Sequence, residues 1–350
     1  VAYSYPGQNN VYIPSHEATN NLIVGFSRAP STFAINRWCQ IIPVTHEVGR
    51  FMRIAPENAG RRTLLSGEDQ FWADGHARPT NHTDMEKFEF DAYQTRRYNF
   101  GFNIGGITQE QASWDIIQSE TEDHAQQAMT LRTILATAVA TDVTNYVSQN
   151  TDTVANILGT AGAGLNQATV ANVYIKRTLN HMANRVHLNT WGVVKPQQMR
   201  IVMNPNSAQR LAETQEVHSY IKESRFSEPE LIGGRMTTNN WGLPASLYGF
   251  EIVIEDAVYN DTRKTAGGQV NTNMQYVWPD NVLGFFSRIG GVTGKLGKNF
   301  SSVACFMKTE MKVGTCYESW NERTLVAVTE NYGFEMISER SSFLATSAFV

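Results

Sequence analysis

Between Gly106 and Gly159 the chain contains neither glycine nor proline, and Ala128, Leu131, Ile134, Leu135, Ala138, Val139, Val143, Tyr146 and Val147 recur at steps of one, three and four. A helix of 3.6 residues per turn needs that rhythm to gather one apolar stripe, so the pattern predicts a single long helix over 108–149. Thr130, Thr133, Thr137, Thr141 and Thr144 fall on the opposite face, and Ser119 with Glu122 forms a capping box that marks either a start or a kink. About 39 residues of helix extend roughly 58 Å, whereas a compact chain of this length is a sphere roughly 50 Å across. Such a strut suits a plate better than a ball.

On either side the period changes. Positions 1–45 mix Pro, Asn and Gly with scattered apolar residues and read as an extended arm. Its Tyr3, Tyr5, Tyr12, Ile13, Phe33, Ile35 and Trp38 are too many for a solvated tail, so the arm is expected to lie on its own subunit or on a neighbour. Strand patterns cover 48–55 and 86–104, the second with Phe88, Phe90, Tyr98, Phe100 and Phe102 all on even positions. They predict a long hairpin. The connection of about thirty residues exceeds an ordinary hairpin loop severalfold, which points to a projecting arm that rests on a neighbour. Its candidate contacts are Arg61, Arg62, Leu64, Leu65, Phe71, Trp72 and Arg78.

After the long helix, the glycines of 159–165 read as a flexible joint, and Val170, Val173, Leu179, Met182 and Val186 mark a further amphipathic helix. A strand over 199–203 runs into Asn204-Pro205-Asn206, where Asn204 or Asn206 can cap a short helix reaching Leu211. Alternating strands follow at 251–255 and 282–286, so this portion is α+β. From 301 onward strands dominate, with candidates at 307–311, 325–329 and 332–337.

Composition narrows the function. The 350 residues are 41% hydrophobic, enough for a sizeable core, and the net charge of -4 supplies no global attraction to nucleic acid or acidic membranes. No apolar run approaches a membrane span and no signal-peptide order is present, so the expected site of synthesis is the cytoplasm and no membrane partner is expected. The first residue is Val1, which allows either loss of an initiator Met or a longer leader. Cys39, Cys305 and Cys316 lack CxxC spacing and are expected as buried thiols.

The chemical inventory is sparse. Gly290, Gly291, Gly294, Lys295, Gly297 and Lys298 have the wrong spacing for a phosphate loop, with Leu296 where Ser or Thr must reach magnesium. Glu120 and His124 stand four apart on the long helix, but a lone pair is better explained as solvated helix polarity than as a metal site. Neither a GxSxG elbow nor an HExxH pair occurs, and no catalytic residue, metal or cofactor is assigned.

Taken in order, an aromatic arm, a long loop between strands, an unbroken helix, an α+β unit and closing strands resemble the major capsid proteins of tailed bacteriophages. Ile201-Val202-Met203-Asn204-Pro205, Leu247-Tyr248-Gly249-Phe250 and Glu330-Asn331-Tyr332-Gly333-Phe334 carry the more specific likeness, and the resemblance spans nearly the whole chain. It implies the Hong Kong 97 fold, α+β in class. The parts would be an N-terminal arm at 1–45, an extended loop with flanking strands at 46–105, the spine helix of a peripheral domain at 106–149 and an axial domain at 150–300. Returning strands at 301–350 complete the peripheral domain, with the last residues free to rejoin the axial one.

The function so implied is mechanical. Subunits form pentamers and hexamers of an icosahedral shell around the phage genome, in a virion assembled in the host cytoplasm. Scaffolding, portal and decoration proteins are the accessory partners, and contact with packaged DNA is nonspecific. Some relatives cross-link a loop Lys to Asn, but no Lys occurs between positions 48 and 86 here, so closure is expected to be noncovalent. An encapsulin-type nanocompartment shares the fold and is the nearest alternative. A cytoplasmic α+β enzyme is the alternative of another class.

Overall fold

The structure is a computed structural model and describes residues 28–54, 71–78, 88–112, 115–223, 241–260, 274–288 and 301–350. A 3-10 turn (Pro30–Thr32) leads into α1 (Ile35–Trp38) and β1 (Gln40–Pro43). Then come β2 (Val48–Ile54), β3 (Phe88–Gln94), β4 (Arg96–Gly105), α2 (Gly106–Gln111), α3 (Ile116–Thr141), β5 (Thr151–Thr153), α4 (Val154–Leu158) and α5 (Tyr174–Asn189). The next segment holds β6 (Met199–Met203), α6 (Pro205–Ala212), α7 (Gln215–Glu223), β7 (Ser246–Leu247), β8 (Phe250–Ile254), β9 (Val258–Asn260) and β10 (Met274–Tyr276). Finally come β11 (Leu283–Ser287), β12 (Val303–Glu318), β13 (Arg323–Met336) and β14 (Ser342–Thr346).

Two larger sheets organise these elements. One has the order β5-β14-β11-β6-β8-β7, the other β1-β12-β13-β4, while β2–β3 and β9–β10 are separate antiparallel ribbons. The six-stranded sheet is covered on both faces, and the period of two decides which residue goes where. Met199, Ile201, Met203, Ile252, Phe285 and Phe343 enter a core shared with α4, α5 and α6. Their neighbours Val202, Val253, Phe286 and Leu344 enter a second core with Trp38, with Met129, Ala136 and Ala140 of α3, and with residues of β12 and β13. The later part of the expected arm therefore packs on its own subunit, with Phe33, Ile35 and Trp38 buried and β1 paired in parallel to β12. Tyr3, Tyr5, Tyr12 and Ile13 lie outside the described residues.

The long helix is shorter than its periodicity predicts. Asp115, in extended backbone, caps the first turn of α3 by accepting from Gln118 N at 3.0 Å, so neither Thr108 nor the Ser119 and Glu122 pair sets the start. At the other end Asp142 turns its carboxylate back onto Thr144 N and Oγ1, at 2.9 and 2.7 Å, and this local alternative to a helical bond ends the helix after Thr141. Its buried residues are Ala125, Ala128, Met129, Arg132, Thr133, Ala136, Thr137 and Ala140. Two of the threonines assigned to the solvent face are thus inside. Thr133 meets the cost of burial by donating to Met129 O at 2.9 Å, and small side chains let the helix sit close to the sheet. Leu131, Ile134, Leu135 and Val139 are only half-buried.

Other expectations shift for similar reasons. Residues 159–165 form a packed turn rather than a joint: Gly159 takes φ 68° to close α4, Ala163 and Leu165 are buried, and Leu165 N donates to Ala348 O at 2.8 Å. Val170 and Val173 precede α5 and are exposed, leaving Ile175, Leu179, Met182 and Val186 as its core stripe. The three short closing strands are parts of β12 and β13, which pair antiparallel over most of their lengths.

All three sequence motifs are locks of local geometry. Asn204 Oδ1 accepts from Ser207 N at 2.8 Å, with Pro205 at the first helical position of α6. Tyr248 at φ 50° and Gly249 at φ 88° form the two-residue turn between β7 and β8, of the kind whose twist matches a hairpin. In the third, Glu330 receives Arg132 from α3, Asn331 Nδ2 donates to Glu47 Oε1 at 3.3 Å, and Tyr332 stacks on Tyr98 at 4.7 Å. Gly333 leaves room for the chain to bend at Thr95 from β3 into β4, because a Cβ there would collide with the Gln94 carbonyl oxygen. Gly333→Ala is therefore expected to destabilise the subunit by about 1–3 kcal/mol. Gly314→Ala, where a Cβ meets nothing, should be near neutral, and urea midpoints of the two variants check the contrast.

Candidate functional site

The hairpin expected from the sequence is present at its base, where β2 and β3 pair from Val48 with Gln94 to Ile54 with Phe88. Alternation gives this ribbon two faces. On one, Phe51 and Tyr93 stack on Phe306 of β12 at 5.6 and 4.4 Å, and Gly49 opposite Tyr93 leaves space for that ring. On the other, Met52 and Phe90 are directly opposed yet 51% and 63% exposed, with Val48 exposed on the same face. An apolar cross-strand pair left in water is a surface with an unmet burial, worth about 1.5–3 kcal/mol for each large side chain once covered.

Beyond the base, the candidate contacts separate. Arg61, Arg62, Leu64 and Leu65 lie outside the described residues. Phe71 is 73% exposed, and Trp72 is 51% exposed with its Nε1 donating to His76 O at 2.6 Å. Arg78 stacks over the Trp72 ring at 4.8 Å, so the structure joins two of the seven candidates into one cation-aromatic pair and leaves Phe71 apart.

Sequence reasoning missed the Met52 and Phe90 pair and a second projection. β12 and β13 run to a tight end at 319–322 where Trp320 is 93% exposed, with Tyr317 and Val313 also open on β12. Glu318 and Arg323 close this tip with an ion pair at 2.5 Å, and Gly106 N donates to Glu322 O at 2.7 Å. The available signal was a Trp inside the polar run Ser319-Trp320-Asn321-Glu322.

Chemistry at the remaining candidates is structural. His124 Nδ1 bonds the Glu120 carbonyl oxygen at 2.8 Å and its half-buried ring lies against Phe102 at 4.6 Å, so packing rather than solvation holds it. Among the described residues no cluster of three His, Cys, Asp or Glu could hold a metal, and no helix is long and apolar enough to cross a membrane. Cys39 and Cys305 are buried, and burial pushes the Cys305 thiol up to about 12. Cys316 departs from expectation: it is exposed on the outer half of β12. The glycines of 290–297 fall outside the described residues. A cavity of about 190 Å³ at the root of the hairpin is lined by Phe51, Asp91, Thr144, Asn145, Glu335 and Glu339, among others.

One buried carboxyl is strongly perturbed. Glu255, at the end of β8, accepts from Trp38 Nε1 at 2.9 Å, and its other oxygen has no hydrogen-bond partner among the described residues. Burial raises this carboxyl to about 7, the Trp38 hydrogen bond opposing and Asp256 adding to the rise. A carboxyl that titrates near 4.5 unfolded and near 7 folded binds more protons in the folded state between those values, so stability falls as pH rises through that window. Glu255→Gln keeps an acceptor for Trp38 and should stabilise the unassembled subunit by roughly 3 kcal/mol at pH 8. Near pH 4 the variant should match the wild type, and urea denaturation across pH reads both.

No family model matches the sequence, and no curated protein sequence does. Solved structures do match. A phage-related protein of Bordetella bronchiseptica RB50 superposes with a TM-score of 0.59 at 11% identity, over 91% of this chain and 93% of that one. A chain of the bacteriophage PhiM1 mature capsid gives 0.50 at 9% identity over 94% and 90%, and one of the cyanophage P-SCSP1u capsid 0.51 at 10% over 93% and 90%. The chain is thus an α+β protein with the fold of phage major capsid subunits, as the resemblance implied.

The open ribbon makes a specific expectation. Met52→Ser with Phe90→Ser should leave the far-ultraviolet circular dichroism and the urea midpoint of the free subunit near wild type, while weakening self-association at least tenfold in sedimentation. A large stability loss instead would show that the pair belongs to the subunit's own core.

Proposed function

We propose that this chain is the major shell subunit of a tailed bacteriophage, with a structural rather than catalytic role, assembling as pentamers and hexamers into an icosahedral capsid around the genome. The observation that carries this reading is a fold shared over about nine-tenths of the chain with PhiM1 and P-SCSP1u capsid chains, joined to apolar projections that one copy does not cover. In this reading 1–45 is the N-terminal arm, 46–105 the extended loop and its strands, and 106–149 the helical spine of a peripheral domain. The axial domain is 150–300, and 301–350 returns to the peripheral sheet, with 342–346 going to the axial unit.

Shell closure is distributed burial. The loop region with Arg61, Arg62, Leu64, Leu65, Phe71, Trp72 and Arg78 rests on the adjacent subunit, and each contact need add only a little because it repeats at every subunit. Association must still exceed its ordering costs. Scaffolding and portal proteins guide assembly in the host cytoplasm, decoration proteins bind the finished virion, and contact with DNA is independent of sequence.

Negative-stain micrographs of the purified protein, with scaffold supplied, should show closed shells. Replacing 56–85 with a short Gly-Ser turn should abolish them while preserving helical circular dichroism. Normal shells from the deletion variant would refute the role of the loop, and only monomers from the wild type would refute the shell. Mature particles boiled in denaturant and reductant should release monomers, since no Lys lies between positions 48 and 86.

A further inference from the structure

Helix α5 carries Lys176, Arg177 and Arg185 and no Asp or Glu, in a chain whose 33 acids outnumber its 29 Lys and Arg. The first part of α3 shows the contrast, with Glu120, Glu122 and Asp123 exposed together. Because Ile175, Thr178, Leu179, Met182, Ala183 and Val186 commit one face of α5 to the six-stranded sheet, the cations are confined to the other. At about 100° per residue, Arg177, His181, Asn184 and Arg185 occupy a sector of roughly 100°, and the two arginines are about 12 Å apart along the axis. Arg177, Asn184 and Arg185 are exposed, as are Lys176 and Asn180 beyond one edge and Leu188 within the sector.

Among the described residues the arginine charge is not neutralised by an ion pair. Lys176 Nζ lies 5.9 Å over the Tyr248 ring. Glu216 is nearby but buried and engaged, accepting from Ile175 N, Lys176 N and the Tyr248 hydroxyl at 2.9, 2.8 and 2.8 Å. Asp152 also acts on the stripe, through His181. Burial first, then Arg185, lower the His181 pKa, with Asp152 opposing and Arg177 adding to the fall, so both arginines lie within electrostatic reach of the ring.

We propose that this outer face of α5 binds the sugar-phosphate backbone of packaged DNA and therefore faces the interior of the shell. Arginine guanidinium and asparagine amide groups donate to phosphate oxygens without reading bases, which matches a surface that must accept any sequence. Binding is driven by release of counterions from the duplex, so each phosphate contact leaves its mark on the salt dependence. The proposal rests on the shell reading and adds which surface meets the genome.

The test uses unassembled capsomers and two unrelated duplexes, with fluorescence anisotropy read across a salt series. Arg177→Gln with Arg185→Gln should weaken both duplexes equally, on the order of tenfold or more near 0.1 M salt, and reduce the slope of log K against log salt by roughly 1.8. Arg177→Lys with Arg185→Lys should keep most of the slope, and the exposed control pair Arg96→Gln with Lys312→Gln should leave it unchanged. Should the double Gln variant misfold, each single variant carries the test with an expected slope change of about 0.9. An unchanged slope overturns the proposal, as does an equal change in the control pair or an absence of duplex binding by the wild type. Preferential, Arg177-dependent binding of polyglutamate also overturns it and points to an acidic protein partner. Shells that form normally with an unchanged slope sink the DNA face alone, whereas an arginine-dependent slope in a protein that never forms shells sinks the shell reading alone.

Discussion

Trp38 is the contact on which the subunit depends. Its ring packs edge-on to Trp278 at 5.7 Å and stacks on Phe286 at 5.6 Å, and its Nε1 donates to Glu255, so a residue of the N-terminal segment completes the second face of the six-stranded sheet. The same core receives α3 and the inner halves of β12 and β13. Without a cover on that face, Val202, Val253, Phe286 and Leu344 would be open to water, and the sheet is formed largely of strands that need both faces buried. Arg28 reinforces the seam from the same segment: its backbone N donates to Gln126 Oε1 of α3 at 2.7 Å, and its guanidinium pairs with Asp256 at 2.8 Å.

Buried charge is placed where helix and sheet must keep one register. Arg132 of α3 meets Glu330 of β13 at 2.5 Å with both side chains nearly buried, and the guanidinium also lies 5.4 Å over Tyr332. Such a pair adds little net stability over apolar packing, yet loss of either partner strands a charge in the core. A helix whose buried face is otherwise Ala, Thr and Met could slide along the sheet at modest cost. The ion pair gives that interface a single position.

In the proposed shell reading, association draws on what this internal packing omits. The β2–β3 ribbon is fastened by one face to Phe306, which leaves Met52 and Phe90 directed away from the subunit, and Trp320 sits at the end of a second projection. In that reading another copy covers these groups, and a rigid subunit with an incomplete surface suits the role. Burial distributed over many weak contacts would let subunits dissociate and rearrange before closure, with the closed particle summing the contacts.

The sequence by itself determined the base of the hairpin, the strand at 199–203 with an Asn cap at 204 or 206 after it, and the α+β class, while the choice of Asn204 and the Tyr248-Gly249 turn came from the structure. Each of the former is written in local periodicity or in a residue whose backbone preference acts within a few positions. What it did not disclose is which surface each stripe would face. Phe90 and Tyr98 share the same parity in one alternating run, yet Phe90 is open and Tyr98 stacks on Tyr332, because the chain bends at Thr95 and leaves one ribbon for another sheet. Thr133 and Thr137 were polar by type but buried by location, since a hydroxyl can bond its own helix or tolerate burial among small side chains. The inward turn of Trp38, the pairing of Arg132 with a residue 198 positions away and the return of β14 to the six-stranded sheet were likewise settled only in three dimensions. Burial and ion pairing depend on neighbours distant in the chain, and no local period carries their identity.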